Sequence, residues 1–343
     1  MQALGRRKTM SRGSYGNGVR SGSVSARRVL RVVAPLLVGA MALHAYGCKS
    51  GTSESSDSGQ SDSGQSDSGK IAIVAAENEY GDVASQIGGD FVTVTSIESN
   101  PNTDPHTYEV SPQAATDVRN AHIVIQNGVG YDDWVQKIEA AAPNPERKNL
   151  NAQKLLDLPD STPNPHLWYK PATMPAVVSA LVEELSRLQP KNAEYFKANE
   201  KKFIDSLQPW LKAIESLKSQ HSGSPVATTE PVADYHLQAM GISNETPWNL
   251  QAAIMNGTDP TPQDVSFQNT LFSEKKVKAF VYNQQVTDQL TDSFKKSSKE
   301  NEIPIVGVYE TMPVPGFTYQ SWMMAETEAL QKAIVSGISK ESL

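Results

Sequence analysis

From residue 70 onward the chain alternates short apolar runs with helix-spaced segments, and that alternation leaves few architectures open to it. Residues 71–76 are a strand-like apolar run, residues 80–87 have helical spacing, residues 91–97 alternate like a strand, and residues 122–126 form a short buried strand. Strands separated by helical segments point to parallel β/α units. Residues 173–188 and 193–219 read as helices, the second long, with Phe196, Phe203, Leu207, Leu211, Ile214 and Leu217 near the helical period. Strand candidates resume at 226–229, 277–282 and 304–308. The expected fold class is therefore α/β: a lobe over 71–189, a linking helix over 190–221 and a second lobe over 222–343. One long rigid connector limits how far two lobes can rotate.

The N-terminal head differs in kind. Residues 1–47 hold eight of the 31 basic residues and no acid, so the remainder carries 23 bases against 38 acids, a balance of −15 that argues against a nucleic-acid partner. Arg27, Arg28 and Arg31 precede an apolar run of about 12 residues, Val32 to Leu43, the layout of a secretory signal. Ala45-Tyr46-Gly47-Cys48 resembles the bacterial lipobox, with Ala45 in place of the usual leucine, and predicts that Cys48 becomes the lipidated first residue. Residues 48–70 repeat Ser-Asp-Ser-Gly-Gln and are too polar to bury a core, so they read as a tether. About 20 such residues span ~25 Å root-mean-square, enough to hold a domain off a membrane. Cys48 is the sole cysteine, which excludes an internal disulfide framework and any thiolate cluster; chemistry in the body must use histidine, carboxylate, hydroxyl or backbone groups.

Four residues attract attention as ligands. His106 lies in Asn102-Thr103-Asp104-Pro105-His106-Thr107-Tyr108-Glu109, just past a strand, and His166 lies in Asn164-Pro165-His166-Leu167-Trp168-Tyr169. Glu230 follows the strand candidate at 226–229, and Glu310 follows the one at 304–308. Taken singly, either histidine reads as a surface or hydrogen-bonded residue and either glutamate as a helix-start charge. Each nevertheless sits at the carboxyl end of a strand or in the loop after it, where open α/β sheets place their ligands. Asp104 and Glu109 could hydrogen-bond His106. His122, His221 and His236 read as strand-end, surface and helix residues.

Taken together, these segments resemble the substrate-binding lipoproteins of bacterial metal-ion ABC importers, the cluster A-I group of manganese- and zinc-binding proteins. The similarity spans residues 70–341. It is carried by Asp104-Pro105-His106-Thr107-Tyr108-Glu109, by Asn127-Gly128-Val129-Gly130 with Trp134, and by Asn164-Pro165-His166-Leu167-Trp168 in the first half. In the second half it is carried by Thr229-Glu230 with Tyr235 and Gly241, and by Tyr309-Glu310-Thr311 with Tyr319 and Met323-Met324. The resemblance implies two (β/α) lobes bridged by a backbone helix, a metal site in the cleft between them, and His106, His166, Glu230 and Glu310 as the metal ligands, two from each lobe. It also implies a monomer, tethered by lipid on Cys48 to the bacterial cell membrane outside the cytosol, that passes its ion to an ABC permease.

Two imidazoles and two carboxylates can neutralise a divalent cation and suit neither Cu(I) nor an all-oxygen Ca²⁺ or Mg²⁺ cage. Mn²⁺ or Fe²⁺ would gain from bidentate carboxylates, whereas Zn²⁺ is content with four single contacts. Glu230 stands where zinc-type members usually carry histidine, and no histidine falls between His122 and His166, so the expected cargo is manganese, then zinc, with iron behind. The last ligand of the family is commonly aspartate, and Glu310 departs from that. The rival reading is a secreted metal-dependent hydrolase, which would need an open coordination position and a general base, and no His-Glu-x-x-His or Gly-x-Ser-x-Gly occurs here. A surface adhesin concerns use rather than chemistry and could coexist with transport.

Overall fold

The computed structural model describes residues 69–343. The expected signal segment, the lipobox at Cys48 and all but the last two residues of the expected tether lie outside the described residues.

The first lobe runs β1 (Ile71–Glu77), α1 (Asn78–Gly88), β2 (Val92–Glu98), α2 (Pro112–Asn120), β3 (Ile123–Gln126), α3 (Asp133–Ala141), β4 (Lys148–Asn151), α4 (Ala152–Leu155) and α5 (Thr173–Leu188). Two helices, α6 (Ala193–Ser206) and α7 (Gln208–His221), lead to the second lobe. This contains β5 (Pro225–Thr228), α8 (Asp234–Ala239), β6 (Ser243–Asn244), α9 (Trp248–Met255), α10 (Pro262–Ser273), β7 (Ala279–Asn283), α11 (Gln289–Glu300), β8 (Ile305–Val308) and α12 (Tyr319–Ser336).

Each lobe is built on a four-stranded sheet, ordered β2-β1-β3-β4 in the first and β6-β5-β7-β8 in the second, with every pair parallel. The two sheets share one topology. In each, the chain turns back between its first and third strands, and loops leaving the carboxyl ends there diverge to leave a crevice. β1 and β3 are buried along almost their whole length, as central strands covered on both faces must be. β4 and β6 carry no such signal. Lys148-Asn149-Leu150-Asn151 offers a single apolar residue and β6 only Ser243-Asn244, because an edge strand needs little burial to hold its place.

The linker departs from the single helix expected over 190–221. A short 3₁₀ turn at Pro190–Asn192 precedes α6, and helix continuity is interrupted at Leu207. Pro209 is the cause: it has no N–H for the carbonyl of Asp205, and its ring crowds that carbonyl. Leu207 keeps right-handed helical angles (φ −76°, ψ −16°), so the chain passes from α6 into α7 without a loop.

One hydrophobic core runs through both lobes and the linker, taking in Trp168 and Tyr169 of the first lobe, Trp210 of α7, and Tyr319, Trp322 and Met323 of α12. Polar contacts stitch the same seam. Asn78 pairs with the backbone of Met312 in both directions (2.9 and 3.0 Å), and the Tyr319 hydroxyl donates to the Trp168 carbonyl (2.7 Å). Glu326 lies inside this core, where its Oε1 meets Trp322 Nε1 (2.8 Å) and the Tyr169 hydroxyl (2.9 Å) while its Oε2 has no partner. Burial pushes its carboxyl up to about 8, the hydrogen bonds from Tyr169 and Trp322 only partly opposing this.

A carboxyl whose folded value lies above its unfolded one stabilises the fold while protonated and loses that contribution as pH rises through the folded value. Between pH 7 and 8.5 the thermal midpoint of the metal-free protein should therefore fall, by up to ~1.4 kcal/mol of stability per pH unit for one such group. Glu326→Gln keeps the accepting oxygen and cannot ionise, so the slope of midpoint against pH should flatten. An unchanged slope in that variant would show that Glu326 titrates normally.

Candidate metal centre

His106 owes its position to a 3₁₀ turn, Pro105–Thr107, in the loop after β2. Asp104 caps that turn by accepting from the His106 backbone N–H (2.8 Å), and Pro105 fixes the first helical angle. Asp104 thus shapes the backbone and does not bond the imidazole, and Glu109 lies exposed. His166 is fully buried, with its ring edge-on to His106, Tyr131 and Trp168 at centroid distances of 6.1, 5.9 and 5.4 Å. Asn164, two residues earlier, accepts from the His166 backbone N–H (3.0 Å) and lies 2.8 Å from Nδ1. Its own amide donates across the cleft to the carbonyl of Pro231 (2.7 Å). Because Asn164 offers its oxygen, Nδ1 carries the proton, and Nε2 is left with a lone pair pointing into the centre.

That lone pair faces Glu310. Glu310 Oε2 lies 3.3 Å from His166 Nε2 and 3.2 Å from His106 Nε2, and it also accepts from the Tyr131 hydroxyl (2.9 Å). The ligand atoms of His106, His166 and Glu310 all fall within 4.8 Å of one another. An ion ~2.1 Å from each donor spans its ligand atoms at ~3.0–3.4 Å for bond angles of 90–110°, and the two nitrogen-to-oxygen distances fall in that range.

Glu230 stands one step apart. It is buried, lies just past β5 with Thr229 between, and is not within the compact group of three. Its connection is Asn283, at the end of β7, whose Nδ2 donates to Glu230 Oε1 (3.2 Å) and to Glu310 Oε1. Asn283 was invisible in the sequence, as were Gln285 and Tyr131. Gln285 Oε1 accepts from the backbone N–H of Glu310 (2.6 Å) and Thr311 (2.8 Å), and its amide donates to the Thr103 carbonyl (2.8 Å) in the loop that carries His106. Tyr131 is presented by the turn at 127–130. Asp132 accepts there from the backbone N–H of Asn127 and Gly128, and Gly128 has φ +84°; a Cβ at that residue would come within 2.8 Å of Asn151.

The charges are distributed unevenly. Burial alone would raise the Glu310 carboxyl, but its contacts with the imidazoles, that of the His106 ring first, outweigh it and hold the group well below the usual carboxylate range. For His106, burial lowers the value and Glu310 more than restores it, leaving it raised; for His166 burial wins and the value falls. Glu230 is raised well above its ordinary value, first by burial and then by the charge of Glu310.

Beside the centre lie further acids that no motif in the sequence marks. Glu77 and Glu98 are register partners at the carboxyl ends of β1 and β2, and Glu79 opens α1. All are buried; neither oxygen of Glu77 or Glu79 has a partner, and Glu98 accepts only from Trp134 Nε1 (2.9 Å). Burial is the main reason Glu98 is pushed up to about 8. The remaining described histidines stay away from the centre. His122 Nδ1 accepts from the Ala72 N–H (3.0 Å), His221 ends α7, and His236 is buried against Trp210 and Thr327, its value pushed down to about 3 by burial.

Residues 73–333 match the family described as "Zinc-uptake complex component A periplasmic". The manganese-binding lipoprotein MntA of Bacillus subtilis is 24% identical over 244 residues, 67% of this chain and 76% of that protein. The manganese ABC transporter substrate-binding lipoprotein PsaA of Streptococcus mitis is 23% identical over 253 residues, 69% and 78% respectively. Among solved structures, the SBP FpvC of Pseudomonas aeruginosa in complex with Mn²⁺ superposes with a TM-score of 0.64 at 19% identity, covering 77% of this chain and 98% of that one. A Cd-bound periplasmic metal-binding protein of Candidatus Liberibacter asiaticus gives 0.61 at 18% identity, over 77% and 100%.

The hydrogen bond to Asn164 makes a prediction independent of any ion. In the metal-free protein at pH 7, nitrogen-15 correlation spectra should show His166 neutral with its proton on Nδ1, and Asn164→Ala should abolish that preference. A proton on Nε2 in the unmodified protein would reverse the assignment.

Proposed function

This chain belongs to the zinc-uptake complex component A family, and on that premise we propose that it is the extracytoplasmic substrate-binding protein of an ABC importer for divalent transition metal. The role is transport rather than catalysis, and its partner is a membrane permease. We infer that His106, His166, Glu230 and Glu310 are the ligands, two from the lobe before the linker and two from the lobe after it. The observation that carries this reading is the pair of 3.2 and 3.3 Å distances from Glu310 Oε2 to two imidazole nitrogens of the other lobe, the span a shared cation requires. Two carboxylates and two neutral imidazoles balance a doubly charged ion, so it can be buried between lobes with little residual charge.

The cargo belongs to the manganese and zinc class. Relatives are named for manganese and, in the case of the zinc uptake protein ZnuA of Bacillus subtilis, 19% identical over 207 residues, for zinc. Intrinsic affinity at a nitrogen and oxygen site favours Zn²⁺ over Mn²⁺, so the choice rests on coordination geometry and supply. Delivery requires the permease to draw one lobe's ligands away from the other's, because a closed four-ligand site releases its ion slowly. Anchoring through lipid on Cys48, as a monomer, completes the reading. It is supported by the lipobox resemblance and by relatives named as lipoproteins.

In calorimetric titration with Mn²⁺ and Zn²⁺, His166→Ala and Glu310→Ala should each weaken binding at least tenfold, or ~1.4 kcal/mol. Unchanged stoichiometry and affinity in both would displace the site. Cys48→Ala expressed in a bacterium should move the protein from the detergent phase to the aqueous phase on Triton X-114 partition; retention in the detergent phase would count against the lipid anchor.

A further inference from the structure

Glu230 and Glu310 leave the ends of β5 and β8, and β7 lies between these two strands in the sheet. The last residue of β7, Asn283, is therefore set by the topology between both acids. It is 1% exposed and held at two further points: its backbone N–H donates to Thr229 Oγ1 (3.0 Å), and its Oδ1 accepts from the Gln285 backbone N–H (3.0 Å). Those contacts settle which way the amide faces. Turned over, its NH₂ would meet the Gln285 N–H, donor against donor, and its oxygen would meet two carboxylates, acceptor against acceptor.

So oriented, Asn283 Nδ2 has two hydrogens and two acceptors, Glu230 Oε1 at 3.2 Å and Glu310 Oε1. One oxygen of each acid is thereby occupied. The other oxygen of each is differently placed: Glu310 Oε2 faces the two histidines, and Glu230 Oε2 is buried with no partner at all. An oxygen can accept a hydrogen bond and bind an ion together, as Glu310 Oε2 would beside Tyr131. What Asn283 resists is the turn of each carboxylate that would swing Oε1 from its amide toward the histidines, because that turn strains a hydrogen bond to a charged acceptor, the stronger kind.

We propose that Asn283 is a positioning residue that restricts Glu230 and Glu310 to one donor oxygen each, so that the centre presents two nitrogens and two oxygens and disfavours ions that need bidentate carboxylates. This rests on the reading of the four ligands given above. Asn283 touches no cargo; it sets selectivity by fixing how the acids may turn. Ions content with four contacts, of the zinc kind, lose nothing by it, whereas Mn²⁺ must find its remaining ligands elsewhere.

The test uses the full chain stripped of metal, with Co²⁺ as the spectroscopic probe. In the unmodified protein, Co²⁺ should give the intense visible bands of four-coordination. Asn283→Leu, of similar size and without donors, should weaken those bands several-fold. In competition titrations the same variant should lower the ratio of Zn²⁺ to Mn²⁺ affinity at least tenfold, and Asn283→Ala should do the same. A weak six-coordinate Co²⁺ spectrum from the unmodified protein would overturn the proposal without any variant, should neither variant fold. So would variants that lose affinity for both ions equally with the spectrum and ratio unchanged, since that is what a merely structural role gives. Failure of the underlying site looks different: an unmodified protein that takes up no Co²⁺, or a His166→Ala protein that binds as tightly, removes the centre and this inference with it.

Discussion

Glu310 carries a carboxylate into a fully buried position, and beside the Asn283 amide of its own lobe what compensates it comes from the opposite lobe, from the His106 imidazole and the Tyr131 hydroxyl. A buried charge without partners is among the most costly features a fold can contain. The arrangement of the cleft follows from meeting that cost across the seam between lobes. The same seam is closed by the Asn78 to Met312 pairing, by Tyr319 on Trp168 and by Asn164 on Pro231, so the contacts that organise the centre and those that bring the lobes together are one set. Any agent that separates the lobes also strips the compensation from Glu310, and a cation held there reinforces closure by the same token.

The shared sheet order of the two lobes explains why donors converge from both sides. In each lobe the strand order reverses at the same place, and the loops leaving the carboxyl ends open towards the seam. The first lobe contributes longer loops with histidines braced by Asp104 and Asn164; the second contributes acids immediately after β5 and β8, braced by Asn283 and Gln285. Bracing differs with chemistry. An imidazole needs one nitrogen fixed so that the other is free, which a single amide oxygen achieves. A carboxylate has two equivalent oxygens, and a donor must hold one to determine the role of the other.

Around this centre the first lobe keeps Glu77, Glu79 and Glu98 buried with unpartnered oxygens, and burial is the largest cause of their raised values. Burial favours the neutral form of each, and Glu98, pushed up to about 8, adds little negative field near neutral pH. Glu98 adds to the sensitivity of the fold to alkaline conditions, as Glu326 does in the shared core.

Much of this was legible in the order of residues. Runs such as residues 71–76 and 304–308 are apolar throughout because they cross the middle of a sheet covered on both faces, and burial of that kind leaves its mark directly on composition. The Pro-His pairs and the glutamates beyond β5 and β8 stood out by their place after strands, but only the family resemblance joined them into one candidate ligand set. The break at Leu207 was legible in principle, since Pro209 forbids the hydrogen bond to Asp205 wherever it occurs. What the tertiary structure decided is different in kind. That Glu230 stands apart from the other three, that Asn283 reaches both acids, that Tyr131 and Gln285 lean on Glu310, and that Lys148–Asn151 and Ser243–Asn244 are strands are all relations between residues distant in the chain. Burial and periodicity are local properties written residue by residue. A hydrogen bond between Asn283 and Glu230, 53 residues apart, is written only by the packing that brings β5 beside β7.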